Sequence, residues 1–201
     1  FLGIALARLL VSKGLGVRVF DMKRSPQLPD GVEFAQGDIR DAEAVSEACE
    51  GVSHVYHLAA LLPQGRASVK VMRDVNVGGA RNVLDACGRH GARSMVYLSS
   101  VEVYGRMGEI PCPEDAPKNP VGEYGRNKLE CEALCLARAA EAGLHGAILR
   151  SLSQPHPYFV AVVWMHQVEP EPRLAENLLG RVPEQPARIR ARVARRQVGR
   201  A

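Results

Sequence analysis

Tyr124 and Lys128 stand four residues apart in Glu123-Tyr124-Gly125-Arg126-Asn127-Lys128, and Ser99-Ser100 close the run Met95-Val96-Tyr97-Leu98 upstream of them. Positions i and i+4 of a helix share a face, so the lysine ammonium can stand beside the tyrosine phenol. A phenol ordinarily titrates near about pH 10, and a neighbouring cation favours its ionised form. The pair is therefore expected to lower the Tyr124 pKa and let the phenol give and take a proton nearer neutral pH. Ser100, at the end of an adjacent strand, would hold the substrate oxygen whose proton moves. By itself a Tyr-x3-Lys pair is common on solvated helix faces, and its meaning depends on the elements that carry it.

Those elements alternate. Apolar residues at Leu2, Ile4, Ala5, Leu9, Leu10 and Val11 predict an opening helix that stops at Lys13-Gly14. Short β-rich runs follow at 17–21, 32–35, 52–58, 95–99 and 146–150. Between them lie helical stretches at 42–49, 69–89 (despite Gly78-Gly79) and around Tyr124 to Ala142. The strands are short, apolar and mostly without polar alternation, which argues for a parallel sheet buried on both faces, a doubly wound α/β fold. Ligands of such sheets bind at the carboxyl ends of the strands. Asp21, Asp38, Ala59-Ala60 and Ser99-Ser100 all fall at such ends, so four strand ends converge on one crevice.

Composition narrows the class. The chain has 201 residues, 46% of them hydrophobic, enough for one medium domain. No apolar run reaches the roughly 18 residues a membrane span needs, and no basic-then-apolar leader opens the chain. The expected location is the cytoplasm. Five scattered cysteines without a Cys-x-x-Cys pair signal neither a disulfide framework nor a metal site, and Cys131 and Cys135 read as small buried apolar groups. The net charge of +4 resides in 151–201, where eight arginines and no lysine meet four glutamates, while 1–150 is balanced. After Arg150, six prolines interrupt the chain, and 187–201 is nearly all Arg, Ala, Val, Ile, Gln and Gly. An Arg-rich helix with a stripe at Ile189, Val193 and Val198 could meet RNA or an acidic surface. The preferred reading is an irregular tail, 151–201, outside the domain formed by 1–150, and nucleic acid is not expected as a partner.

With these residues in place, 1–150 resembles an extended short-chain dehydrogenase/reductase of the NAD-dependent epimerase/dehydratase group. Phe1-Leu2-Gly3 resembles the end of that family's glycine turn, with Gly3 as its last glycine, so the chain is read as a fragment beginning after the family's first strand. Asp21 matches the acid that bonds the adenine ribose and favours NAD, while Lys23 and Arg24 leave NADP open. Asp38-Ile39 resembles the pair that contacts adenine. His57-Leu58-Ala59-Ala60 resembles the segment whose small residues, Ala59 and Ala60, let the backbone pass close to the dinucleotide. Asn76 falls in an Asn-x-x-Gly-x-x-Asn helix and is expected to brace the site through backbone or water. Ser99-Ser100-Val101-Glu102-Val103-Tyr104-Gly105 resembles the segment that carries the catalytic serine at Ser100. Dehydratases of the group carry Asp-Glu after that hydroxyl; Val101-Glu102 departs from this and favours an epimerase or simple dehydrogenase. The family's Arg-Pro continuation is replaced after Arg150 by Ser151-Leu152-Ser153.

The resemblance implies a Rossmann-like fold and an enzyme that uses NAD and acts on a nucleotide sugar by transient hydride transfer. Ser100, Tyr124 and Lys128 would be its catalytic residues, with Lys128 also holding the nicotinamide ribose; no metal is implied. It further implies a homodimer built on the helices that follow Val69 and Val121. Two alternatives stay open: a reductase or hydroxysteroid-type dehydrogenase of the same superfamily, and an inactive dinucleotide-binding fragment.

Overall fold

The computed structural model describes residues 2–63, 67–106, 112–151 and the backbone of 162–166. Residues 169–201, including the Arg-rich stretch, lie outside the described residues.

Helix α1, Leu2–Ser12, forms where expected but buries Gly3, Ala7 and Leu10; of the apolar residues read as its face only Leu10 is buried, and Ala5 and Leu9 are exposed. Strands β1, Gly16–Asp21, and β2, Val32–Gln36, pair in parallel. Helix α2, Ala42–Cys49, starts where the Asp41 carboxylate accepts from the backbone N–H groups of Glu43 and Ala44. Strand β3, His54–His57, pairs in parallel with β4, Ser94–Ser100, and β4 pairs in parallel with β5, His145–Ser151. The expected long helix is one continuous run in three parts: α3, Val69–Arg73, a π-helical turn, Asp74–Gly78, and α4, Gly79–His90. Helix α5, Glu123–Ala142, carries Tyr124 and Lys128, and Gly143 closes it in the left-handed region at φ 64.

One strand falls in the stretch read as an irregular tail. Strand β6, Val162–His166, runs antiparallel between β1 and β3 and completes the order β2-β1-β6-β3-β4-β5. Its run Val160-Ala161-Val162-Val163-Trp164-Met165 is β-branched and apolar, the composition that suits a strand paired on both sides. Phe1–Val168 form one compact unit, which takes β6 into the sheet.

The core lies between the sheet and the helices: Val45, Val55, Val83 and Ala80 are completely or almost completely buried. Each such valine is worth on the order of 1.5–3 kcal/mol relative to exposure. Gly79 sits in the long helix for a packing reason, since a Cβ there would stand 2.7 Å from Ile39 Cγ2. No helix among the described residues is long and apolar enough to cross a membrane.

Candidate functional site

Because β1 to β5 run in one direction, their carboxyl ends share one edge of the sheet, and the sequence-derived candidates gather there in two groups. Asp21 ends β1, Asp38 and Ile39 follow β2, and Ala59 and Ala60 follow β3. All five line one pocket of about 330 Å³, with Phe20 and Val75 among its apolar walls. Burial pushes the Asp21 carboxyl above its ordinary value, while the Lys23 amide donates to it at 3.3 Å. Asp38 is committed to its neighbour: Arg40 Nε lies 3.0 Å from both carboxylate oxygens, and the guanidinium holds the Asp38 pKa down. A pocket with an apolar floor and an acid at its rim fits the adenosine half of a dinucleotide, apolar against the base and carboxylate toward ribose hydroxyls.

Three expected cofactor residues, Gly3, Asn76 and Lys128, do not line that pocket. Gly3 is buried in the first turn of α1. Asn76 is buried in the π-helical turn, where its Oδ1 accepts from Leu61 N at 2.7 Å and its Nδ2 donates to Leu61 O at 3.0 Å. Leu61 lines the pocket, so Asn76 acts on it through backbone. The Asn76 carbonyl also accepts from Cys131 Sγ at 3.4 Å, joining this turn to α5.

The second group is built around β4 and α5. Lys128 is 2% exposed; its Nζ donates to the Leu98 carbonyl at 2.7 Å and lies 4.8 Å from the Tyr97 ring centroid and 5.6 Å from that of Tyr124. Ser100 ends β4, and its Oγ accepts from Glu102 N at 3.2 Å, capping the 3-10 turn Val101–Val103. Gly125 lets the first turn of α5 reach that turn: a Cβ on it would stand 2.6 Å from the Glu102 carbonyl oxygen. The end of β4, which bears Ser100, thus meets the start of α5, which bears Tyr124 and Lys128.

The electrostatics depart from the expectation for Tyr124. Burial raises the phenol pKa well above its ordinary value, and the Glu102 charge raises it further. Lys128 Nζ, 5.6 Å from the Tyr124 ring centroid, donates to the Leu98 carbonyl, and burial lowers its own pKa to about 8. Without a further positive charge, Tyr124 stands as a neutral phenol, a proton donor at physiological pH.

Sequence reasoning passed over several buried polar groups. His57 is completely buried against Tyr97, with ring centroids 5.4 Å apart, and burial with the Lys128 charge lowers its pKa to about 3. Asn127 is 1% exposed, with neither amide atom partnered. Glu132, 3% exposed, joins Ser99 and Arg150. Position 132 continues the 124, 128 spacing on α5, so the sequence held a signal for it. Cys131 and Cys135 are buried free thiols as expected, and no disulfide forms among the described residues. No metal-ligating cluster is present among those residues.

Known proteins resemble this arrangement. The model of the NAD dependent epimerase/dehydratase family matches residues 1–154. The UDP-glucose 4-epimerase of Streptomyces lividans is 33% identical over 156 residues, 74% of this chain and 47% of that protein. Human 3 beta-hydroxysteroid dehydrogenase type 7 is 43% identical over 115 residues, 52% of this chain and 31% of that protein. A crystal structure of a short-chain dehydrogenase/reductase superfamily protein from Agrobacterium tumefaciens with bound NAD aligns at TM-score 0.68 and 37% identity, covering 73% of this chain and 44% of that one. The chain spans less than half the length of each of these relatives.

Proposed function

This chain belongs to the NAD-dependent epimerase/dehydratase family, and on that premise we propose that its protein is an NAD-dependent epimerase acting on a nucleotide sugar. The observation that carries the reading is the corner where buried Lys128, 5.6 Å from the Tyr124 ring, meets the β4 end that bears Ser100. The crystallised relatives with bound NAD and the UDP-glucose epimerase support it.

When bound, NAD supplies the acceptor and donor of hydride for the substrate carbon. Asp21 accepts from the adenosine ribose hydroxyls, Asp38 and Ile39 flank the base, and Ala59 and Ala60 let the backbone run close to the dinucleotide. A carboxylate at the Asp21 position disfavours a 2′-phosphate, so NAD is preferred over NADP. Gly3 belongs to the helix at the phosphate end, and Asn76 holds the Leu61 loop. At the reacting end, Ser100 Oγ donates a hydrogen bond to the substrate oxygen. Tyr124 Oη exchanges the proton of that oxygen, and Lys128 fixes the local geometry while contributing positive charge. Because burial holds the Tyr124 phenol protonated, it would have to give up its proton before acting as base.

A hydroxysteroid-type dehydrogenase is the second reading, favoured by the 43% identity to the human 3 beta-hydroxysteroid dehydrogenase. Absorbance in the reduced-nicotinamide band separates the two. With UDP-galactose, an epimerase converts the sugar without net accumulation of NADH, whereas a dehydrogenase given a 3β-hydroxysteroid accumulates it stoichiometrically. Net NADH from the sugar would overturn the epimerase reading. Titration of the 201-residue chain with NAD tests the inactive-fragment alternative, which absence of saturable binding would favour. The reading includes a soluble cytoplasmic protein that pairs as a homodimer through α3, α4 and α5.

A further inference from the structure

Four residues beyond Lys128 on α5, Glu132 buries a carboxylate whose side chain is only 4% exposed. A carboxylate that far from water persists only when paired and hydrogen-bonded, and both its oxygens are engaged. Oε1 accepts from Ser99 Oγ at 2.7 Å and from Arg150 Nε at 2.8 Å, and Oε2 accepts from an Arg150 terminal nitrogen at 2.8 Å. Lys118 Nζ stands 3.9 Å away. The other terminal nitrogen of Arg150 donates to the Tyr104 hydroxyl at 2.9 Å and to the Glu114 carbonyl at 3.3 Å. Tyr104 in turn donates to that carbonyl at 2.7 Å, and the guanidinium carbon lies 5.3 Å over its ring.

One carboxylate therefore joins four segments: the end of β4 next to Ser100, helix α5 one turn past Lys128, the end of β5 at Arg150, and the chain around Glu114 that leads to Tyr124. The planar fork of arginine makes the joint directional, since it meets a carboxylate on two nitrogens and still has a donor for Tyr104. Packing alone would hold these segments together but would not fix their register. Ser99 is the residue before Ser100, so a shift at Glu132 moves the serine relative to the phenol and ammonium on the same helix.

We propose that Glu132, acting through Ser99 and Arg150, is a positioning residue that sets Ser100 in register with Tyr124 and Lys128. This rests on the reading of those three side chains as the reacting groups. Glu132 itself touches neither substrate nor cofactor.

The test compares Glu132→Gln, Arg150→Lys and Tyr104→Phe with the unsubstituted protein by amide hydrogen exchange, thermal melting and turnover of UDP-galactose with NAD. Glu132→Gln keeps the shape and places an amide against the guanidinium. Protection of residues 101–105 is expected to fall about tenfold while that of α2 and α4 is unchanged. kcat is expected to drop by about tenfold to a hundredfold, with KM and NAD affinity within about threefold. Tyr104→Phe removes the two bonds of the Tyr104 hydroxyl without leaving a charge unpaired, and a smaller loss of kcat with an unchanged melting temperature is expected. Unchanged kcat in Glu132→Gln, or exchange that rises evenly over sheet and helices, would overturn the proposal. If Glu132→Gln does not fold, unaltered protection and kcat in both Arg150→Lys and Tyr104→Phe overturn it. Failure of the unsubstituted protein to turn over UDP-galactose would sink the epimerase reading alone, and the exchange measurements would still decide whether Glu132 sets the register.

Discussion

Lys128→Met separates the chemical value of the ammonium from its cost to folding. Burial lowers the Lys128 pKa from its ordinary 10.5 to about 8. A difference of about 2.5 units at roughly 1.4 kcal/mol each means that holding the charged form costs the folded state on the order of 3 kcal/mol at neutral pH. Methionine fills the same space with a flexible apolar chain. It also leaves the Leu98 carbonyl without its donor, a loss of about 1–3 kcal/mol. The variant should therefore be as stable as the parent or up to about 2 kcal/mol more stable, while losing turnover. Urea unfolding measures this, and pH supplies the sign. Below about pH 8 both folded and unfolded parent carry the ammonium, so the difference between parent and variant is constant. Between 8 and 10.5 the folded parent has released the proton that the unfolded chain still holds, and the parent gains stability relative to Lys128→Met; above 10.5 the difference levels off. Subtracting the variant removes the contribution of buried tyrosines and thiols that titrate in the same range. A destabilisation beyond about 2 kcal/mol at pH 7, or a pH-independent difference between the curves, would refute the assignment of Lys128 as a buried and electrostatically costly cation.

Gly125→Ala places a methyl 2.6 Å from the Glu102 carbonyl oxygen and should destabilise the protein by about 1–3 kcal/mol, read as a lower melting temperature; an unchanged melt would show that α5 does not rest on the turn after Ser100. Gly79→Ala presses on Ile39 in the same way, and its expected signature is weaker NAD binding in titration, because Ile39 lines the pocket. Asp21→Ala should weaken NAD about tenfold to a hundredfold, the worth of a charged hydrogen bond, with NADP less affected; equal losses for both would remove Asp21 from the ribose.

What the sequence made legible was what local chemistry specifies. The helices read at 42–49 and up to Ala142 stand where the structure shows local reasons for their ends, the Asp41 cap and Gly143 at φ 64. The strand ends that bear Asp21, Ala59 and Ser100 could be placed because short apolar runs bounded by polar residues admit little else. Strand β6 was missed although its β-branched run was visible, because Pro155 and Pro157 before it and Pro170 after it drew attention to the interruptions. The π-helical turn at Asn76 was not legible, and the Asn76 amide's bonds to Leu61 join residues fifteen apart, which local spacing does not show. Glu132 lay on the expected face, but its partner Arg150 comes from another strand, and sequence spacing carries no such distance. Spacing also brought Lys128 beside Tyr124 without revealing that burial, rather than the cation, dominates the phenol's pKa.

The role of Tyr124 is tested most directly by Tyr124→Phe, which removes one oxygen from a half-buried ring. NAD affinity and UDP-galactose conversion are measured on the same preparation. The account predicts NAD binding within about threefold of the parent and conversion reduced by at least about a hundredfold, the contribution of a positioned proton-transfer group. Conversion at the parental rate with NAD bound would contradict it.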